Sequence, residues 1–207
     1  MGRVSQAQAQ ENRQRVVATA SQMFREKGTA VSVADLMKAA GLTHGGFYKQ
    51  FASKEDLVDE AIAHAFENPV PYSAAEALTP EQGEDHETAR QAMIDDYLSI
   101  WHRDHAADGC PVSGFAADLG REPDQAARAR QIYAEGVRNR AAWLATGEDD
   151  GLAQFCTLVG ALALARATRG NPLSEELLQA ARTALTESGT RGSEGVGSGV
   201  SSPATTG

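Results

Sequence analysis

At 207 residues, 42% of them hydrophobic, the chain is long enough to bury one small and one larger domain. Its net charge of −9 would repel nucleic acid if it were spread evenly, but residues 1–54 hold eight Lys/Arg against three Asp/Glu while residues 55–207 hold eleven against twenty-five. No apolar run can span a bilayer, MGRVSQAQAQENRQ is too polar for a signal peptide, and Cys110 and Cys156 make no disulfide framework; these features exclude a secreted or membrane role and point to a reducing cytoplasm.

All four lysines (Lys27, Lys38, Lys49, Lys54) lie in the basic part, where they can draw in phosphates while the acidic remainder orients the approach. Behind a polar arm at residues 1–9 containing Arg3, RVVATASQMFREKG reads as a long first helix. Val33, Leu36 and Met37 then sit at helical spacing, with Ser32 placed to cap that second helix. Gly41 stands where it stops, since glycine turns through φ > 0 cheaply. Thr43 is expected to cap a third helix, on which Phe47 and Phe51, four residues apart, pin it to the second. SKEDL opens a fourth helix that runs to about residue 66. Two short helices joined by a tight turn, the second carrying Thr43, His44, Tyr48 and Lys49 on its free surface, form a helix-turn-helix whose second helix enters a DNA groove.

Beyond Phe66, a proline-containing segment reads as a loop or broken helix. Helical patterning returns at about 86–107, with Met93, Ile94, Tyr97 and Trp101 on one side, and breaks at Gly109-Cys110-Pro111. Helices are expected at about 112–119, 124–145, 151–168 and 174–187, followed by a disordered Gly/Ser/Thr-rich tail at 188–207. GLAQFCTLVGALALARAT is apolar on nearly every face and must be buried on several sides, either as a core helix or as part of an interface. No strand pattern competes, so the fold class is all-α.

The ordered string from the first helix through TAVSVADLMKAAGLTHGGFYKQF to SKEDLVDEAI closely resembles the DNA-binding domain of the TetR (tetracycline-repressor-like) family of transcriptional regulators. GCPVSGFAADLGRE, residues 109–122, is similar to one ligand-sensing subgroup of that family. The resemblance implies an N-terminal three-helix helix-turn-helix domain at 1–66 and a C-terminal helical ligand-binding and dimerisation domain at 67–187. It also implies a homodimer paired through the last two helices, with Leu158 and Leu162 expected in the seam. Such a dimer would bind a palindromic double-stranded operator, repress, and let go when a small, mostly apolar inducer occupies the second domain.

For DNA contact the candidates are Ser32, Thr43, His44, Gly45, Gly46, Tyr48, Lys49 and Lys54. Thr43 and His44 come at the helix start, where base contacts occur, and Lys49 reaches a base or phosphate. Tyr48 either donates to a phosphate or packs its ring in the core. Lys54 sits beside helix N-terminal N–H groups that favour a phosphate. Gly45 and Gly46 either let the backbone approach DNA or relieve packing against the preceding helix. For the inducer, Tyr97, Trp101, Cys110, Phe115, Tyr133 and Val137 come from helices that must pack together, and they line a pocket or fill a solid core.

Cys110 at a helix start would have a thiolate favoured by the helix dipole, so an electrophile or oxidant sensor is the competing form of regulation. His102 and His105 near Cys110 offer a partial metal set without a fourth ligand, and the alternative is a pair of solvated histidines. No metal or cofactor is expected. No Ser/His/Asp set, phosphate-cradling loop or paired carboxylates stand out, so catalysis would need a thiol enzyme built on Cys110, which leaves the charge split unexplained. An architectural DNA-binding protein would not need the aromatic-rich second domain.

Overall fold

The structure, a computed structural model, describes residues 6–68, 84–121, 126–146 and 149–193. The arm with Arg3, most of the expected loop after Phe66 and the end of the tail lie outside them. Among the described residues every regular element is helical. The chain runs α1 (Gln6–Lys27), α2 (Val33–Ala39), a 3-10 helix (His44–Lys49), α3 (Lys54–Glu67), α4 (Glu84–Tyr97), α5 (Ile100–Asp104), a 3-10 turn (Ala106–Asp108), α6 (Pro111–Arg121), α7 (Ala127–Leu144), α8 (Leu152–Ala167) and α9 (Leu173–Ser193).

Two cores form. The first gathers Val16, Ala20 and Phe24 of α1, Leu36 and Met37 of α2, Phe47 and Phe51, and Leu57, Ala61 and Ile62 of α3. The second gathers Met93, Ile94 and Tyr97 of α4, Cys110, Val112, Leu144 of α7, and the inner residues of α8 and α9. Phe66 and Tyr133 pack against both.

The cores meet along α6 and α7. Phe115 and Leu119 of α6 and Ala129 of α7 belong to the first core, not the second. Gly114 permits this, because a Cβ there would lie 2.9 Å from Arg25 Cγ and 3.1 Å from Arg25 Cα. The turn after α1, held open by Gly28 at φ +81°, is fastened to α6 where the Thr29 N–H donates to Asp118 Oδ2 at 2.7 Å. Gln22 adds a hydrogen bond to Asp108 at 3.1 Å.

Two expected boundaries shift. The helix anticipated over 86–107 is two, because Ser99 takes an extended conformation and its side chain accepts the His102 N–H, starting α5 afresh. The last helix continues six residues past the expected 187, to Ser193, since propagation adds a backbone bond per residue once a helix exists. Among the described residues no helix is long and apolar enough to cross a membrane.

Candidate nucleic-acid interface

The interface is assembled from α2, the 3-10 helix and the start of α3. Ser32 caps α2 as expected: its Oγ accepts the Asp35 N–H at 3.1 Å and donates to the Asp35 carboxylate at 2.6 Å. Gly41, at φ +72°, closes the helix while the Leu42 N–H returns to the Met37 carbonyl at 2.8 Å.

The expected third helix is a 3-10 helix of six residues, and Thr43 does not cap it with its side chain. Thr43 is extended, and its backbone carbonyl instead accepts the Gly46 N–H at 2.9 Å. Gly45 and Gly46 each weaken helix by about 1 kcal/mol. Burying Phe47 completely and Phe51 almost completely, with the rings stacked at 5.3 Å, returns about 2–3 kcal/mol each. The aromatic anchor therefore outweighs the glycine penalty and holds the short helix.

Packing does not require those glycines. Nothing lies within 4 Å of a Cβ built on Gly45, and the nearest atom to one on Gly46 is Met37 Cε at an ordinary 3.6 Å. The Tyr48 ring is 67% exposed, set edge-on to Phe47 and His44, which answers the core-packing alternative. Thr43, His44, Tyr48 and Lys49 are all exposed, and Lys54 is half-buried at the start of α3. None of the ion pairs among described residues uses Lys38, Lys49 or Lys54.

The N-terminus of α3 is less open to phosphate than its position implied. Ser53 Oγ already accepts the Asp56 N–H at 3.1 Å. The Glu55 carboxyl is held below its usual range by its own backbone N–H and then by Ser53. That leaves Lys54, half-buried there, as the candidate for a phosphate.

One clamp was not read from the sequence. Arg13 of α1 forms a bidentate ion pair with Glu60 of α3 and lies 4.6 Å over the Phe51 ring. Its guanidinium pKa is raised first by the Glu60 hydrogen bond. This fixes the end of the helix-turn-helix against α1. Only the i-to-j partner, 47 residues away, reveals it, and helical spacing carries no such signal.

The six expected effector residues divide. Tyr97, Cys110, Tyr133 and Val137 converge on the second core. Trp101 does not: it is 46% exposed and stacks on His105 at 4.5 Å, because the fresh start of α5 turns it outward. Phe115 does not either, since α6 delivers it to the first core. Tyr133 OH donates to the Val112 carbonyl at 2.9 Å, and burial, then neighbouring Cys110, pushes its pKa up to about 12.

His102 is buried, not solvated. Its Nδ1 lies 2.7 Å from the Tyr97 carbonyl, and its Nε2 accepts the Cys110 N–H at 2.9 Å. These contacts fix the neutral Nδ1–H tautomer, and burial depresses the pKa to about 4. Both nitrogens are committed, so His102 has no lone pair for a metal. Arg166 completes the cluster by donating to the His102 carbonyl at 2.9 Å and to Ser113 Oγ at 3.0 Å.

The same helix that supplies Arg166 presents two faces. Leu158 and Leu162, expected in an intersubunit seam, are wholly buried inside the protomer. The opposite side of α8, with Ala153, Cys156, Gly160, Ala163, Leu164 and Ala167, is exposed. Leu164 is 55% exposed, and nothing lies within 4 Å of a Cβ on Gly160.

Residues 16–61 match the sequence profile of bacterial regulatory proteins of the tetR family. Over 61 residues the chain is 38% identical to the HTH-type transcriptional regulator AcrR of Shigella flexneri, a stretch covering 29% of this chain and 28% of that relative. The chain therefore matches little more than a quarter of the curated relative's length. Over most of the chain the fold is similar to E. coli NemR in its reduced form (TM-score 0.68, 18% identity, 86% of this chain and 96% of that one). It is also similar to a TetR transcriptional regulator from Chloroflexus aurantiacus J-10-FL (TM-score 0.64, 25% identity, 89% and 97%).

Proposed function

Because this chain is a tetR-family transcriptional regulator with a DNA-binding helix-turn-helix at its N-terminus, we propose that it is a homodimeric repressor of a palindromic operator, released by a small molecule received in its second domain. The observation that carries the DNA-facing half is the exposed 3-10 helix, anchored by Phe47 and Phe51 while Tyr48, Lys49 and Lys54 remain available to DNA. In this reading Thr43 and His44 meet base edges, Gly45 and Gly46 let the backbone come close, and Ser32, Tyr48, Lys49 and Lys54 take phosphates.

The dimer reading rests on the outer face of α8. A stripe of alanine, glycine and leucine at helical spacing, exposed in the protomer, allows a second copy's helix to approach closely and removes apolar surface from water. A two-fold pair also supplies what one short recognition helix lacks in affinity. The effector reading is supported by the convergence of Tyr97, Cys110, Tyr133 and Val137 beside α6, which packs against α1. An apolar ligand admitted there would have to part packed side chains.

A second reading is favoured by one observation. Cys110 precedes the first turn of α6, and the half-buried Arg166 guanidinium lies close enough for the two groups to influence each other. An electrophile or oxidant would then act through Cys110, the cysteine at the head of the helix that joins the two cores. The thiol is fully buried, which makes its reaction wait on local opening. Gel-shift titration with the chain's own upstream DNA, at stated salt and with hydrophobic or electrophilic compounds, tests the proposal. Release that survives Cys110→Ser assigns reversible ligand control, and its loss assigns the thiol. No shift with upstream DNA would refute the repressor reading.

A further inference from the structure

A groove of about 590 Å³ runs between α3 and α7, and none of Tyr97, Cys110, Tyr133 or Val137 lines it. Ala63 and Phe66 of α3 and Ile132 and Gly136 of α7 supply its apolar lining. Gly136 lets the Phe66 ring lie directly against α7, because a Cβ there would come within 2.2 Å of it. Arg140 stands at one end with its guanidinium 4.7 Å over that ring. It forms no hydrogen bond or ion pair with a described residue, and its Nε is shut off from solvent without an acceptor.

A buried guanidinium N–H without an acceptor is costly, and a carboxylate matches the planar fork with two parallel hydrogen bonds. Of the other charged groups at the groove, one is an exposed cation, Arg128, and two are acidic. Arg128 faces Asp59, Glu135 is held by Gln131 at 3.1 Å, and Glu67 lies on the rim. The two glutamates disfavour a second negative charge. We propose that this groove binds a monocarboxylate with an apolar body, its carboxylate on Arg140 and its body along Ala63, Phe66 and Ile132.

The site has a consequence for DNA that rests on the repressor reading. One wall is α3, whose first residue is Lys54 and whose last turn holds Phe66. The other wall is α7, whose Leu144 end belongs to the second core. A ligand wedged between them shifts the equilibrium by its differential affinity for the two settings of these helices.

Calorimetric titration of the full chain without DNA tests the site, using 2-naphthoate and octanoate as aryl and acyl probes and their amides as uncharged controls. At least one carboxylate should bind at millimolar concentration or below, with its amide tenfold weaker or worse. Arg140→Met should weaken the bound probe tenfold or more, and Arg140→Lys should recover part of that. Because Arg140 also packs on Phe66, Asn139→Glu on the exposed rim provides a second variant that adds a repelling charge without touching the core. It too should lose tenfold.

Unchanged binding in Arg140→Met and Asn139→Glu, or no binding by either carboxylate at millimolar concentration, overturns the site. Fluorescence anisotropy with upstream DNA separates the two readings. Failure of the free protein to bind DNA sinks the repressor reading and leaves the calorimetry standing. Carboxylate binding that leaves DNA affinity unchanged overturns the regulatory consequence.

Discussion

Acidification should loosen this protein chiefly through His102. Its ring is buried, donates to the Tyr97 carbonyl, accepts the Cys110 N–H, and has a pKa depressed to about 4 against an ordinary 6.5. The unfolded chain therefore binds a proton more readily than the folded one between those values. Stability from the neutral ring is fully present above pH 6.5 and is lost as pH falls toward 4. The whole interval amounts to about 3 kcal/mol, of which about 2 kcal/mol is gone by pH 5. Urea unfolding followed by circular dichroism, at fixed protein concentration so that the proposed dimer contributes equally throughout, measures the loss. His102→Gln should be weaker at neutral pH by about 1–3 kcal/mol, since a buried partner is lost, and should lack most of the wild-type slope over this interval. The depressed pKa of half-buried His64, caused mainly by burial, persists in the variant and so cancels in the comparison. An equal slope in wild type and His102→Gln would refute the reasoning.

Three further outcomes are expected. Lys54→Ala should weaken operator binding similarly across sequences and reduce the salt slope by about 1 in an anisotropy titration. Gly160→Arg, on the exposed face of α8, should yield folded monomers by sedimentation, whereas Leu158→Arg, in the core, should cost the fold itself through an unpaired buried charge. Asp118→Ala removes the acceptor of the Thr29 N–H and should lower stability by about 1–2 kcal/mol. Proteolysis near residue 28 should then quicken without a matching change in far-UV signal.

Helical period and caps made much of the N-terminal half legible. Ser32, Gly41 and the Phe47/Phe51 pair act through neighbours within a few residues, so the sequence states them locally. Thr43 failed as a side-chain cap because two following glycines favour a tighter turn closed by its backbone carbonyl. In the second half the residue types were right and their partners were not. Phe115 and Trp101 are apolar residues at helical spacing, yet the direction each faces depends on where α6 and α5 start and on what packs across from them. Leu158 and Leu162 were distinguishable from Gly160 and Leu164 only once α9 covered one side of α8. The Arg13–Glu60, Thr29–Asp118 and Arg166–His102 contacts join positions tens of residues apart, and no local pattern announces them.

Helix α6 ties these long-range contacts into one chain of cause. Its leading end is set by the Cys110 N–H on His102 and by Ser113 on Arg166, next to the second core. Its trailing end lodges Phe115 and Leu119 in the first core and holds the Thr29 N–H through Asp118. A helix of 11 residues is about 16 Å long and stiff over that length. A change that reorients its first turn therefore has few ways to be absorbed within it. Movement at Cys110 must either break the Asp118 contact or carry the α1–α2 turn along. Gly114 lies against the backbone of α1 at Arg25, so α6 has little room to slide along α1, and under the proposed function the motion left to it is rotation together with the helix-turn-helix. If release works as proposed, linkage makes it reciprocal: DNA that fixes the α1–α2 turn would also stabilise one setting of the Cys110–Arg166 cluster.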